Sequence, residues 1–259
     1  MKLFTLLLLI CFVCNLYSQT AEDFYQKGKI KSKNSDLIGA ILEYSNAIRL
    51  NPTNGLYYND RAWAKCNLLL YMDAIKDFNK SIELDPNNEY GFQGRAYMKA
   101  RLKDYRGAIQ DYSRAIELNI NDSNRDNRGA MYKYIKEESL ADHYNSRGEA
   151  EDNLKDYRKA LIDYNKAIEM STLYTVRSVL LESFYSNRGI LKYKIQDYKE
   201  ALGDFNNLLL LAPNNPKAIC YKGLALLQLG YLDEGCLELS KSGELGNTYA
   251  YEMINKYCR

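Results

Sequence analysis

One histidine and four prolines are all that the 259 residues contain of either type. A single imidazole argues against His-rich metal centres and against chemistry needing several histidines. An excess of one charge is missing too: 35 Lys+Arg stand against 33 Asp+Glu, for a formal net charge of +2. Such a balance gives no bulk drive toward nucleic acid or an anionic membrane. After residue 18 there is no CxxC pair, no Cys/His metal spacing and no further apolar run long enough for a bilayer. His143 has no paired nucleophile motif and no Gly-rich phosphate loop beside it. Just before Tyr144 at the start of a helix, it reads as a solvated side chain. No cofactor and no enzyme activity are expected.

What the chain does have is the composition of a folded protein, 46% hydrophobic and 26% charged, with 24 tyrosines. Lys2 precedes the apolar run Leu3–Val13, and the small residue Ser18 precedes a polar stretch. A basic start, a short apolar core and a small residue predict a secretory leader over residues 1–18, and hence an exported, periplasmic or secreted, mature chain. Ile10 and Val13 stand before Cys11 and Cys14, where a lipid anchor would want a small residue.

The rest is organised by repetition. Ala40, Ala74, Ala108, Ala160, Ala201 and Gly235 serve as anchors, separated by 34, 34, 52, 41 and 34 residues. Four residues after each stand Tyr44, Phe78, Tyr112, Tyr164, Phe205 and Leu239, and twelve before each stand Gly28, Ala62, Ala96, Gly148, Gly189 and Gly223. Apolar spacing within a copy is helical, and Pro52, Pro86 and Pro213 close second helices. Each copy therefore reads as an antiparallel helix pair. Counted outward from a turn such as Asp104, Ala96 and Tyr112 are equally distant, so the ring on one helix faces the small residue on the other.

A 34-residue period carrying an aromatic, a Gly/Ala, an Ala, an aromatic, an Ala and a terminal Pro resembles the tetratricopeptide repeat. The resemblance runs over roughly Ala21–Tyr249. It implies an all-α right-handed α-solenoid of antiparallel helix pairs, with a concave groove that binds proteins or peptides. Six units follow, at about 21–54, 55–88, 89–122, 141–174, 182–215 and 216–249, within residues 19–249. Residues 123–140 and 175–181 are insertions, and residues 250–259 form a capping helix whose apolar stripe is Tyr249, Ala250, Met253, Ile254 and Tyr257. The extra 18 and 7 residues are near whole helical turns. They lengthen helices, or else Asn127-Arg128-Gly129, echoing Asn187-Arg188-Gly189, marks an additional first helix.

Two polar patterns repeat. Thirteen before each anchor is a base (Lys27, Arg61, Arg95, Arg147, Arg188, Lys222), and three after is an acid (Glu43, Asp77, Asp111, Asp163, Asp204, Glu238). These read as ion pairs locking each hairpin, worth about 0–1 kcal/mol if exposed. The stripe beside the buried face of each first helix would line the groove. It holds Tyr25 and Lys29; Asn59, Trp63 and Cys66; Gln93 and Tyr97; Asn145, Glu149 and Asp152; Ser186, Ile190 and Tyr193. Asn187, fourteen before its anchor, is the one residue in that slot suited to the Asn and Lys/Arg carboxylate clamp of some family members, so the clamp is not carried over. Partner-binding candidates are therefore Tyr25, Asn59, Trp63, Gln93, Tyr97, Asn145, Ser186, Asn187 and Tyr193.

Cys66 and Cys220 lie on distant units and should not pair. Cys236 and Cys258 lie on the last hairpin and the cap, which should touch. Export permits a bridge between them, and two buried thiols are the alternative. The sequence thus predicts a non-enzymatic protein- or peptide-binding scaffold, with no nucleic-acid partner and no membrane span in the mature chain. The alternative is a structural component of an envelope or secretion assembly, docking through the extended fourth and fifth repeats.

Overall fold

In a computed structural model of the chain, residues 19–123, 130–173 and 178–258 are described. The expected leader over residues 1–18, the Asn127-Arg128-Gly129 echo and part of the second insertion lie outside them. Among the described residues there are thirteen helices and no strand. The chain divides into two compact units, one ending at Asp104 and one beginning at Tyr105.

The first unit contains α1 (Ala21–Lys33), α2 (Leu37–Leu50), α3 (Gly55–Asn67), α4 (Tyr71–Leu84) and α5 (Glu89–Arg101). α1 pairs with α2 and α3 with α4, while α5 packs on both α3 and α4. The second contains α6 (Tyr105–Ser123), α7 (Ala130–Asn153), α8 (Tyr157–Leu173), α9 (Ser178–Lys194), α10 (Tyr198–Leu211), α11 (Pro216–Gln228), α12 (Leu232–Glu244) and α13 (Thr248–Tyr257). Here α7 pairs with α8, α9 with α10 and α11 with α12, and α6 packs against α7.

Local chemistry sets the ends of these helices. Thr20 and Asp23 form a reciprocal capping box before α1, and the side chains of Asn54, Asn88 and Asn215 accept backbone N–H bonds at the starts of α3, α5 and α11. The turn inside each hairpin is less visible in the sequence. Ser35, Leu69, Lys103, Lys155 and Gln196, each five before its anchor, adopt φ of 62–67°, and only the last hairpin uses glycine there, Gly230. Behind each, an N–H reaches back five residues: Asp36 to Lys31, Leu70 to Lys65, Asp104 to Lys99, Asp156 to Glu151, Asp197 to Lys192 and Tyr231 to Leu226. This Schellman closure satisfies carbonyls that the helix end would leave bare, and it offsets the left-handed residue.

All five alanine anchors are fully buried, as are Tyr44, Phe78, Tyr164, Phe205 and Leu239. Within the hairpins, ring and small residue meet as their register requires. A Cβ added to Gly148 would lie 2.9 Å from Tyr164 Cε1, and one added to Gly189 would lie 2.9 Å from Phe205 Cε1 and 3.2 Å from Asp204 Cβ. Gly189→Leu should therefore cost about 1–3 kcal/mol by overpacking, read as a lower urea midpoint with the m-value unchanged.

Around the two long spacings the flanking helices are extended. α6, α7, α8 and α9 run to 19, 24, 17 and 17 residues, against 13 residues in α1 and 14 in α2. α7 carries its face back through Leu140, which joins Ile116, Ala141, Ala167, Ile168, Met170 and Phe184 in one apolar cluster. His143 is fully buried rather than solvated. It stands seventeen before its anchor, in the slot that Tyr57, Gly91, Phe184 and Ala218 also fill with buried side chains or backbone. Its Nε2 lies 3.3 Å from Ser139 Oγ, and its Nδ1 has no hydrogen-bond partner.

α13 covers the end of α11 and α12, with Ala250, Met253, Ile254 and Tyr257 packed on Cys220, Leu224 and Leu239. Tyr249 leaves the expected stripe and is nearly half exposed. Cys236 and Cys258 are joined by a disulfide with Cα atoms 5.8 Å apart, while Cys66 and Cys220 are buried free thiols.

Candidate functional site

The charged ladder is structural. In three hairpins the guanidinium grips its acid with two bonds: Arg61 to Asp77 at 2.8 and 2.7 Å, Arg147 to Asp163 at 2.7 and 2.8 Å, and Arg188 to Asp204 at 2.9 and 2.6 Å. The aspartate side chains are 7%, 5% and 3% exposed, so these pairs are far drier than the surface pairs the sequence suggested. Lys65 and Lys192, one turn on, share Asp77 and Asp204. In the first hairpin Lys31, rather than Lys27, takes Glu43 at 2.7 Å. The third nitrogen of each arginine reaches back to the preceding second helix: Arg61 to Ser45, Arg95 to Asn79, Arg147 to Ser113 and Arg188 to Asn165, at 2.8–3.0 Å. Four of these arginines also lie over the ring three residues before them (Tyr58, Phe92, Tyr144, Tyr185). No guanidinium tied up in this way is offered to a ligand.

In the first unit the groove stripe gathers aromatic rings. Trp63 sits edge-on to Phe78 at 5.6 Å and beside Tyr97 at 6.3 Å between centroids, and Tyr97 is 41% exposed. Tyr25 lies tilted against Tyr57 and Tyr44, carries Lys29 Nζ over its ring at 4.9 Å, and donates its hydroxyl to Asp60 Oδ2 at 2.8 Å. Burial and that bond push the Tyr25 phenol well above its usual range. Asn59 is buried. Its Nδ2 donates to Asp60 while its Oδ1 has no partner. Gln93 is half-buried, and Cys66, which the stripe placed in the groove, is buried against Ala62, Phe78 and Met98. A cavity of about 360 Å³ opens between α1 and α3, lined by Lys29, Ser32, Lys33, Tyr44, Asp60 and Trp63. Asp60 and Lys33 lie off the predicted stripe. They belong to it because the slot between two first helices also takes the neighbouring row.

In the second unit α7 and α9 bring Asn145 and Asn187 together. Asn187 Nδ2 donates to Asn145 Oδ1 at 3.1 Å, and both amides donate to Glu149 Oε1. Glu149 is exposed to water yet set among packed side chains at the mouth of a slot. Desolvation raises its carboxyl above the usual range and the charge of Asp152 adds to this, while the two amides and Lys217 oppose the shift. Ser186 is half-buried on α9. Tyr193, at the far end of α9, makes edge-on contacts with Tyr198 and Tyr221, and desolvation lifts its phenol to about 12. Among the described residues no group of three His, Cys, Asp or Glu is arranged to hold a metal ion, and no helix is long and apolar enough to cross a membrane.

Comparison with known proteins agrees with this architecture. Residues 141–172, which span most of α7–α8, match the family model "Tetratricopeptide repeat". No match to the sequence occurs among curated proteins. Among solved structures the chain is similar to pilF of Pseudomonas aeruginosa, with a TM-score of 0.70 at 13% identity over 91% of this chain and 96% of that one. YrrB, described as a TPR protein with an unusual peptide-binding site, gives a TM-score of 0.61 at 15% identity over 82% and 97%. A tetratricopeptide repeat protein of Parabacteroides merdae gives 0.56 at 15% over 92% and 84%. The matched repeat at residues 141–172 and these shared folds together show a chain of helical hairpins with the tetratricopeptide-repeat fold.

Proposed function

We propose that the protein is a non-enzymatic scaffold of the cell envelope or secreted space, which binds a protein or peptide along the groove formed by its first helices. The observation that carries this reading is the pairing of Trp63 with the exposed Tyr97 beside an open cavity of about 360 Å³. Large amphipathic rings of this kind are the commonest anchors of interfaces, and rigid hairpins would present them with little entropy to lose. YrrB, of like fold, is described by its peptide-binding site. The leader-like N-terminus and the Cys236–Cys258 disulfide support an exported chain.

Tyr97→Ala is the cleaner groove variant, because Trp63 also packs on Phe78 and its loss disturbs the core. Crosslinking followed by affinity capture from the native envelope fraction should recover a partner with the wild type. Recovery with Tyr97→Ala should fall about tenfold, a typical cost of one aromatic anchor, at an unchanged melting temperature. Equal recovery by both chains would remove the groove from consideration. The 24-residue α7, whose extension exposes Ile135, favours a second reading, docking into an envelope or secretion assembly through the extended repeats. In that case substitution of Ile135 by Asp, and not Tyr97→Ala, abolishes co-purification.

A further inference from the structure

Among the described residues, one slot between consecutive first helices in each unit has the same register as the other and opposite chemistry. In the first unit it is lined by Lys29, Ser32, Lys33, Tyr44, Asp60 and Trp63. In the second it is lined by Glu149, Asp152, Asn153, Tyr164, Asn187 and Ile190 and encloses about 260 Å³. Position by position these correspond: Lys29 and Glu149 are both eleven before their anchors, Ser32 and Asp152 eight, Lys33 and Asn153 seven, and Tyr44 and Tyr164 four after. Asp60 and Asn187 are each fourteen before the next anchor, and Trp63 and Ile190 eleven. The cavity is thus a product of the repeat itself, and the sequence decides only what it is lined with.

In the second unit that lining has an unmet demand for positive charge. Glu149 has no ion pair among the described residues. One of its oxygens is held by the amides of Asn145 and Asn187, which fixes the carboxylate without neutralising it. Asp152 Oδ2 pairs with Lys194 at 2.6 Å, but its Oδ1 is buried without a hydrogen-bond partner. Two carboxylates therefore share one cation at contact distance, and that lysine is 44% exposed and screened. Carboxylate capture is ruled out at this slot, because the Asn187 amide is already committed to Glu149. At about 260 Å³ the space falls below the range of about 300–1,000 Å³ typical of small-molecule sites, and suits one side chain.

We infer that the slot between α7 and α9 receives a single arginine side chain from an extended segment of a partner protein, with the Glu149 carboxylate accepting its N–H groups, Asp152 adding negative charge at the wall and Tyr164 forming the floor. A planar guanidinium presents several donors in a fixed fork, which a compact ammonium lacks, and that fork suits a carboxylate already pinned by two amides. Charge-assisted bonds made in a half-enclosed slot are stronger than the same bonds at an open surface. The upward pull on Glu149 is relieved once a cation arrives.

The inference rests on the groove-binding reading, and the two can fail separately. The test uses labelled twelve-residue peptides of fixed Gly/Ser/Tyr composition whose central residue is arginine, citrulline, lysine or glutamate, with affinity read by anisotropy on the full mature chain. The arginine peptide should bind about tenfold more tightly than its neutral isostere citrulline, and the preference should shrink with added salt. Glu149→Gln combined with Asp152→Asn, which keeps the shape of the slot, should erase the preference while leaving the melting temperature and citrulline binding in place. Tighter binding of the lysine peptide than the arginine peptide would overturn the guanidinium assignment. Equal binding of all four peptides, or a preference that survives the double substitution, would overturn the slot assignment and leave groove binding standing. Failure of every peptide to bind would overturn both.

Discussion

Asp204→Ala should remove about 3–5 kcal/mol of stability, a large part of what a domain this size has to lose. Asp204 is almost wholly buried and holds two cations, Arg188 through two bonds and Lys192 at 3.0 Å. Removing it leaves a guanidinium and a mostly buried ammonium facing each other across a methyl group, with Glu200, at 3.8 Å from Lys192, the nearest recorded substitute. The effect comes from the unpaired charges left behind. Replacing all three residues with apolar side chains of similar volume should cost much less. Chemical denaturation of Asp204→Ala, Asp204→Asn and the triple variant checks this. A loss below about 1 kcal/mol for Asp204→Ala would mean that water reaches the pair freely. Removing Glu83, whose partner Lys80 is exposed, serves as the contrast and should change little.

His143 should pull stability down toward acid, against an opposing pull from Glu151. Burial pushes its imidazole down to about 4, with the nearby Lys136 charge adding to the shift. The folded chain therefore resists protonation between pH 6.5 and 4 while the unfolded chain accepts it. For a base with a depressed pKa, the neutral form is favoured by folding. Its contribution is complete above pH 6.5 and is lost as pH falls toward 4, about 3 kcal/mol over that span. Glu151 works the other way. Desolvation first, and then the charge of Asp163, lift its carboxyl to about 7, so between pH 7 and the ordinary carboxylate range folding takes up a proton and acid favours the native state. The two limbs overlap and largely cancel in the natural chain. Relative to wild type, His143→Gln should therefore gain about 3 kcal/mol on going from pH 8 to pH 4, whatever its absolute cost at pH 8. Glu151→Gln should shift in the opposite sense. Urea midpoints at four pH values decide it, and a pH-independent difference for His143→Gln would place its ring in contact with water.

Much of this fold was legible because it repeats. Six anchors and six aromatic or leucine partners fix a register, and the register alone sets which residues of a hairpin face each other, including Arg61 and Asp77, Arg147 and Asp163, and Arg188 and Asp204. Burial of those pairs was not legible, because how dry an ion pair becomes depends on the helix that packs over it. His143 was misread by treating it alone. Its slot holds Tyr57, Gly91, Phe184 and Ala218 in four of the other copies, against the exposed Asp23 of the first, and applying the register there would have favoured the inside. The left-handed turns were hidden, since five of the six residues that adopt them are not glycine. In the candidate site, Tyr25, Trp63, Tyr97 and Tyr193 were named from helical spacing. The cluster of Asn145, Glu149 and Asn187 depends on how α9 lies against α7, which spacing within one helix does not encode.

The backward reach of each arginine makes the units directional. Arg61 and Arg95 in one unit, and Arg147 and Arg188 in the other, each draw one bond from the second helix before them. Melting a hairpin from its trailing side takes away both ends of its own pair and leaves the earlier neighbour with only an unneeded serine or asparagine. Melting from the leading side strands a guanidinium that stays folded and half-enclosed, one acceptor short. Fraying should accordingly be cheaper from the later hairpins than from the earlier ones, a polarity that amide exchange would register as protection declining along the chain within each unit.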